Sequence, residues 1–212
     1  MELWTVQNEI VWDVLAKDGV WRADEAYVEF PAHEDSATWH AHCAYCWLAE
    51  RMAERVGPPP ENVRFPVWAW YKQQGRQDGK PDMRTRHGMP GERVVRLKLE
   101  VADERVLLTD FDDWFFPLNY SYASRTESDD QVFTAWCESL GIGYFELQNW
   151  DLDTPELREA RRRIEESWEC VFDIWSPRDG NWDFPWELRS IQATFWELRR
   201  DDVLSVEHFT VR

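Results

Sequence analysis

Tryptophan is the residue type whose number and spacing first suggest a binding site in this sequence. The chain contains 15 tryptophans in 212 residues, and each indole carries a large apolar surface and one N–H donor that needs a partner. One set lies on predicted strands or strand ends, and another follows helical spacing and is expected to pack in the core. The strand-borne set is Trp4, Trp68, Trp70, Trp114 and Trp196, and the helical set is Trp12, Trp47, Trp168 and Trp175.

Polar residues near the strand-borne tryptophans favour a cleft for a small, flat ligand. These residues are Thr5, Gln7, Tyr71, Asn119 and Gln192. Indole walls with a few amide and hydroxyl groups suit a nucleotide-like molecule. We therefore predict that the strand-borne tryptophans and these polar residues bind the ligand. Core packing is the alternative for each tryptophan.

An acidic motif offers candidate catalytic or Mg²⁺-binding carboxylates. Asp110, Asp112 and Asp113 are three carboxylates within four residues. If a short helix begins near Asp110, Asp110 and Asp113 share one helical face and are the preferred acid/base candidates. The stronger interpretation is structural, because carboxylates in a first helical turn cap free N–H groups and complement the helix dipole.

Two histidines and two cysteines are spaced as potential zinc ligands. On a helix, His42, Cys43 and Cys46 fall within about one third of the circumference, and His40 lies two residues before them. Small core cysteines beside exposed histidines explain the same pattern, so we predict reduced thiols and no bound metal. Zinc is the alternative, and the sequence identifies no other cofactor.

Residues 73–92 are rich in glycine and proline and are predicted to form a flexible basic loop. From Lys72 to Arg93 there are six basic and three acidic residues, in a chain whose net charge is −17. We predict that Arg84 and Arg86 contact an anionic group of the ligand and that the loop acts as a lid. A solvated loop that relieves acidic self-repulsion is the alternative.

The charge and hydropathy of the chain exclude several classes of partner. A net charge of −17 repels phosphate backbones and anionic membranes, so we expect no nucleic-acid partner. The sequence has no basic segment followed by an apolar one at its start, and no run of about 20 apolar residues. We expect a cytoplasmic location, no membrane contact, and either a small molecule or a basic protein as partner.

Hydrophobic periodicity predicts one α+β domain over residues 1–212, with a mostly antiparallel sheet and three to five helices packed on it. The predicted strands are Glu2–Val6, Phe65–Tyr71, Arg93–Val101, Val106–Leu108, Ile191–Leu198 and Val203–Val211. The predicted helices run from an Asn8 cap to Gly19, over Ser36–Val56, over Ser128–Leu140, and from a Thr154 cap to about Trp175. A turn at Asp103 and Glu104 predicts a hairpin between the third and fourth strands.

Several segments, taken in order, resemble domain-of-unknown-function family 3841 of bacteria. They are Leu3–Gln7, Ala44–Trp47, Phe65–Trp70, Leu107–Trp114 with Leu118 and Asn119, and Ile191–Leu198. The resemblance spans nearly the whole chain and agrees with the family in overall length. It implies a small bacterial intracellular protein and supplies no catalytic residue.

Two further functions are alternatives to simple ligand binding. The order of polar and aromatic strands is loosely similar to NAD-consuming ADP-ribosyltransferase-like folds, an analogy at the level of fold alone. Such an enzyme needs an acidic residue aimed at the ribose from a late strand, and Glu197 is the candidate. The other alternative is an acidic interaction module, of the antitoxin, immunity or adaptor type, that uses exposed tryptophans.

Overall fold

Strands and helices alternate irregularly along the chain, and the computed structural model describes residues 1–23, 36–76, 78–85, 87–175 and 185–212. The strands are β1 (Glu2–Asn8), β2 (Val20–Arg22), β3 (Val67–Lys72), β4 (Arg93–Glu100), β5 (Leu107–Asp110), β6 (Ile191–Phe195), β7 (Glu197–Arg199) and β8 (Val203–Thr210). The helices are α1 (Glu9–Asp18), α2 (Ser36–Arg55), α3 (Phe115–Leu118), α4 (Glu127–Ser139), α5 (Tyr144–Gln148) and α6 (Pro155–Ser167).

The main sheet has six strands in the order β5-β6-β3-β1-β4-β8, and β2 pairs separately with β7. All of these pairs are antiparallel. The predicted α+β class is confirmed. In the described part of the chain, four helices have ten or more residues, and α3 and α5 are single turns.

The predicted hairpin between residues 93–101 and 106–108 is wrong. β4 pairs with β1 and β8, whereas β5 pairs with β6 at the opposite edge of the sheet. Val101 N donates to the Met1 carbonyl and keeps the end of β4 on β1. A 3-10 turn at Asp103–Arg105 follows. Alternation indicates that a strand has one buried face, but it does not identify the strand's partner.

One face of the sheet, here called the α1 face, is covered by α1. Leu3, Val67 and Leu97 share this face, because paired residues on neighbouring strands point to the same side. They pack with Val11 and Leu15 of α1 in one apolar cluster. Asn8 caps α1 by accepting a hydrogen bond from Ile10 N, and Gly19 ends it with φ 78°, as predicted.

The other face, here called the cleft face, carries Trp4, Trp68 and Arg96. Over the half formed by β5, β6 and β3 it is covered by α2, whose Tyr45 ring lies 5.8 Å from the Trp68 ring. Over the half formed by β1, β4 and β8 it is covered by the loop that follows β3. There the Arg96 guanidinium donates to the Pro81 carbonyl at 2.7 Å.

The helix predicted from Thr154 to Trp175 is correct at its start and wrong at its end. Thr154 caps it, with Pro155 as its first residue. α6 ends at Ser167, whose hydroxyl donates to the Ile164 carbonyl at 2.6 Å, and a 3-10 turn follows over Trp168–Phe172. Consequently Trp175 is 67% exposed instead of packed in the core.

The other helical tryptophans lie closer to their predicted positions. Trp47 and Trp168 are buried, and Trp12 is half-buried against the α1-face cluster. The strand predicted over Ile191–Leu198 divides at Trp196, so that β6 and β7 lie in different sheets. No helix in the described ranges is long and apolar enough to cross a membrane.

The loop after β3 packs closely on the strand that precedes it. A Cβ atom added at Gly79 would lie 2.3 Å from the Trp70 carbonyl oxygen, so only glycine allows this approach. The Arg76 guanidinium donates to the Lys80 carbonyl at 2.8 Å, and the Lys80 ammonium lies 3.7 Å from Glu207. The described part of the loop therefore lies along the cleft face.

We predict that Gly79→Ala destabilises the fold by about 1–3 kcal/mol, because the new methyl group forces backbone displacement. Thermal unfolding measures the change. Gly143→Ala is the matched control, because its Cβ would meet only the end of a side chain, the Glu146 carboxylate at 3.0 Å, and no backbone atom. Equal unfolding temperatures for wild type and Gly79→Ala would contradict the close approach.

Candidate functional site

The two central strands of the main sheet, β1 and β3, are joined over a very short length. On its other side β1 pairs with β4 over seven register pairs, from Glu2 to Asn8. Toward β3 it has a single register pair, Trp4 with Trp70. The six-stranded sheet is therefore divided near its middle into two halves of three strands.

The directions of the amide and carbonyl groups of β1 show which of them face the gap between β1 and β3. Val101 N donates to the Met1 carbonyl at 2.9 Å, so odd-numbered residues of β1 direct their amide and carbonyl groups toward β4. Val6 therefore directs its groups toward β3, although the register with β3 has ended there. The Thr5 hydroxyl donates to the Trp68 carbonyl at 2.9 Å instead. A side chain thus bridges the strands at this point.

A cavity of about 190 Å³, here called the strand cleft, occupies the break. It is lined by Thr5, Val6, Gln7, Trp68, Ala69, Trp70, His87 and Gln192. Thr5 belongs by alternation to the α1 face, and Val6 and Trp68 belong to the cleft face. Lining from both faces is possible because β1 and β3 have separated.

Three polar atoms in and beside the strand cleft have no hydrogen-bond partner among the described residues. They are the indole nitrogen of Trp68, the side-chain oxygen of Gln192 and the hydroxyl of Thr109. Thr109 is fully buried and lies opposite Gln192 in the register of β5 and β6. Each such atom costs about 1–3 kcal/mol while it stays unpaired. Trp68 and Gln192 line the strand cleft, whereas Thr109 lies beside it.

The strand cleft has almost no charge. Among the described residues that line it there is no Asp, Glu, Lys or Arg, and His87 is the single titratable side chain. His87 Nε2 lies 2.9 Å from the Asp82 carbonyl and 3.0 Å from the Thr85 hydroxyl, and in the tautomer with a proton on Nε2 it donates to the carbonyl. In the neutral ring this leaves Nδ1 as an acceptor. The lining can bind through hydrogen bonds and ring contacts, and its described residues include no carboxylate for acid or base catalysis.

Five of the predicted ligand-binding residues come together in the strand cleft. They are Thr5, Gln7, Trp68, Trp70 and Gln192. Within the site, the Gln7 amide donates to the Thr5 hydroxyl at 2.7 Å. Trp68 is held from behind by Tyr45 and by Trp114, whose ring lies 5.4 Å away.

The other predicted ligand-binding residues lie elsewhere. Trp4 is 6% exposed and, with Tyr71, lines a different cavity of about 790 Å³. Trp114 is buried in the core, and the buried Trp196 donates from its indole nitrogen to the Gly57 carbonyl at 2.8 Å. Asn119 is exposed at the end of α3 and donates to the Phe115 carbonyl.

The acidic motif begins the turn before α3. The Asp110 carboxylate accepts from Asp112 N at 3.0 Å and from Asp113 N at 3.3 Å. Asp110 and Asp113 are buried, and neither lines the strand cleft. α3 begins at Phe115, five residues after the predicted start. The geometry matches the capping interpretation of these carboxylates.

Glu197 lies in the small sheet, away from the residues that line the strand cleft. Its carboxylate accepts from Arg22 at 3.0 Å and from Arg199 at 2.8 Å. Burial alone would raise the pKa of Glu197, but the hydrogen bonds from the two arginines outweigh burial and hold that pKa below its usual value. These contacts join β2 to β7.

The histidines and cysteines of α2 do not converge on one point. His42 Nε2 lies 3.4 Å from the Cys46 sulfur and 3.4 Å from a terminal nitrogen of the Arg64 guanidinium. The His40 ring lies against Tyr120, and burial raises the pKa of the Cys43 thiol to about 12. In the described ranges, no three His, Cys, Asp or Glu residues are grouped to hold a metal ion.

Basic residues of the loop make internal contacts. Lys72 is 5% exposed, and its ammonium donates to the carbonyls of Glu187 and Arg189 at 3.1 and 2.8 Å. Arg84 pairs with Asp82 at 2.6 Å and lines a third cavity. Arg86, predicted to contact the ligand, lies outside the described residues.

Sequence reasoning missed His87, which lines the strand cleft, and Thr109, which lies beside it. His87 is a single histidine in a glycine-rich loop, and no periodicity marks it. Thr109 ends a short strand directly before the acidic motif, and its place opposite Gln192 depends on a strand pairing that the predicted hairpin excluded.

The fold and site together define an α+β protein whose six-stranded antiparallel sheet is split by an uncharged, tryptophan-lined cleft. The chain belongs to the family described as Domain of unknown function (DUF3841), whose profile matches residues 2–204. The predicted family is thus confirmed. Neither a curated protein nor a solved structure matches the chain.

We predict that Glu197→Gln lowers stability at pH 7 by about 1 kcal/mol, the order expected for removing one hydrogen-bonded charge. Because the pKa of Glu197 is lowered in the folded protein, its stabilisation is present above the unfolded pKa of about 4.3 and is lost as pH falls below it. Thermal unfolding from pH 7 to 3, with the exposed-site variant Glu61→Gln as control, measures this. A difference that grows on acidification would contradict the assignment.

We predict that Cys43 and Cys170 resist alkylation in the folded protein. Burial raises their pKa values to about 12 and about 11, so at pH 8 both thiols stay protonated and react slowly. Mass spectrometry after iodoacetamide treatment measures the labelling, and urea-unfolded protein is the control. Rapid labelling of Cys43 in the folded protein would contradict the prediction.

Proposed function

We propose that the protein binds a small, nucleotide-like ligand whose flat, nitrogen-containing ring enters the strand cleft. The observation that carries the proposal is the pair of unpaired polar atoms on Trp68 and Gln192, which line an aromatic cavity with no Asp, Glu, Lys or Arg among its described lining residues. A heterocyclic base presents donors and acceptors on its edge and an apolar face for the indole rings. It is therefore complementary to this lining.

The size of the strand cleft supports a ring as the inserted group. Its volume of about 190 Å³ is below the range of about 300–1,000 Å³ that is typical of pockets enclosing a whole drug-sized molecule. One ring system is a suitable occupant, and the remainder of a nucleoside would extend outward.

The lining favours binding over cleavage of an NAD-type bond. An ADP-ribosyltransferase-like reaction needs a carboxylate at the ribose, and the late-strand residue of the strand cleft is the amide Gln192. Glu197, the acidic candidate, is bound to two arginines in the small sheet. An amide can donate and accept hydrogen bonds, but it carries no negative charge to stabilise a cationic transition state.

The concave shape also favours a small molecule over a protein partner. Trp68, Trp70 and Gln192 line a cavity, whereas an interaction module requires exposed tryptophans on a flat surface ringed by carboxylates.

The proposal is tested by tryptophan fluorescence and thermal shift with adenosine, guanosine, cytidine, uridine, nicotinamide riboside and NAD. We expect at least one of these to quench fluorescence and to raise the unfolding temperature, because binding stabilises the folded state by mass action. No response to any of them at millimolar concentration would contradict the proposed function.

The variant Gln192→Leu tests binding and stability separately. We predict that it weakens binding of the responding compound about tenfold, the effect of one lost hydrogen bond, without lowering the unfolding temperature of the free protein. The reason is that leucine removes an unsatisfied buried oxygen. Trp68→Phe, which keeps a ring and removes the donor, should also weaken binding.

Gln131→Leu, the same change at an exposed position of α4, is the matched control. Unchanged affinity in both Gln192→Leu and Trp68→Phe would exclude the strand cleft as the binding site.

A further inference from the structure

The strand cleft borders a larger cavity of about 860 Å³ on the outer half of the sheet, here called the arginine cavity. His87 lines both spaces. Val6 of the strand cleft is also the register partner of Arg96, which lines the arginine cavity. Such paired side chains lie about 5 Å apart on one face of a sheet, so one extended ligand can occupy both spaces.

The charge of the arginine cavity differs from that of the whole protein. Its lining includes Arg84, Arg96 and Arg212 against one carboxylate, Asp82, and it also includes His87 and His208. Three arginines and one aspartate give the lining side chains a formal charge of +2, and Glu207, which is ion-paired with Arg96, reduces it to +1, in a chain whose net charge is −17. An anionic group is attracted to this part of an otherwise acidic surface.

The cavity lined by Trp4 and Tyr71 has a negative formal charge, unlike the arginine cavity. This cavity has a volume of about 790 Å³. Its lining includes two basic side chains, Lys72 and Arg76, and four carboxylates, those of Glu2, Asp78, Asp103 and Glu187. The formal charge of these side chains is −2. The Lys72 ammonium is already bound to two carbonyls. An anionic group on a ligand in the strand cleft is therefore directed toward the arginine cavity.

The arginines of this cavity differ in exposure and in their contacts. Arg96 is buried and fixed, because it donates to Pro81 and Glu207 and lies 5.2 Å from the Phe209 ring. Arg84 has an 88% exposed side chain and pairs through Nε and one terminal nitrogen with Asp82. Its second terminal nitrogen makes no hydrogen bond to any described residue. Arg84 can therefore contact a ligand without breaking its ion pair.

We infer that the ligand is a nucleotide, with its base in the strand cleft and its phosphate in the arginine cavity, where Arg84 and Arg212 bind it. The inference rests on the proposed function, because it needs a ring in the strand cleft. Guanidinium groups suit phosphate because they present several N–H donors in a planar arrangement. His87 lies where base and phosphate parts meet.

The test compares each responding nucleoside with its 5′-monophosphate by calorimetry at low salt; adenosine with AMP is the first pair. We expect the monophosphate to bind about fivefold to tenfold more tightly, the order expected for partly exposed ion pairs. The advantage should shrink in 0.5 M salt, because screening weakens exposed charge pairs. It should also shrink in Arg84→Gln and in Arg212→Gln.

Arg158→Gln is the matched control, since Arg158 is an exposed arginine in α6 with one aspartate partner, Asp153. Equal or weaker binding of the monophosphate would overturn the inference and leave the proposed function standing. An advantage that both arginine variants and salt leave unchanged would overturn it as well. If no nucleoside binds, the proposed function fails and this inference fails with it.

Discussion

The pairing of Trp4 with Trp70, the single register pair between β1 and β3, is the contact on which the site depends. At that point the two halves of the sheet are held together. The Trp4 ring is buried below the ammonium groups of Lys80 and Lys98, and Gly79 packs on the Trp70 carbonyl. One residue pair further on, the strands have separated and the strand cleft opens. A longer ladder would close the space that Trp68 and Gln192 line.

The walls of the strand cleft are supported by packing that leaves their polar atoms unpaired. Tyr45 and Trp114 contact the Trp68 ring from the core side, so its indole is positioned without a partner for its nitrogen. The Thr5 hydroxyl, by contrast, accepts a hydrogen bond from the Gln7 amide and donates one to the Trp68 carbonyl. Fixed side chains with unmet hydrogen bonds reduce the ordering cost of binding.

Local patterns identified elements better than they identified partners. The caps at Asn8 and Thr154, the start of α6 and the α+β class follow from short-range chemistry, and all were predicted correctly. The hairpin of residues 93–101 failed because β4 has two partners distant in sequence. For the same reason the tryptophans predicted to line one cleft lie in different places. Trp68 and Trp70 line the strand cleft, whereas Trp196 packs in the core. His87 enters through a loop whose path depends on tertiary contacts.

If the ligand binds in the space between β1 and β3, amide hydrogen exchange measured with and without the responding nucleoside will show it. The backbone amide of Val6 in β1 faces this space, so we predict slower exchange in peptides covering residues 5–8, 67–70 and 191–193. Peptides from α4 and α5 should exchange at the same rate in both samples. Protection confined to those helices, with no change in β1 and β3, would contradict the account.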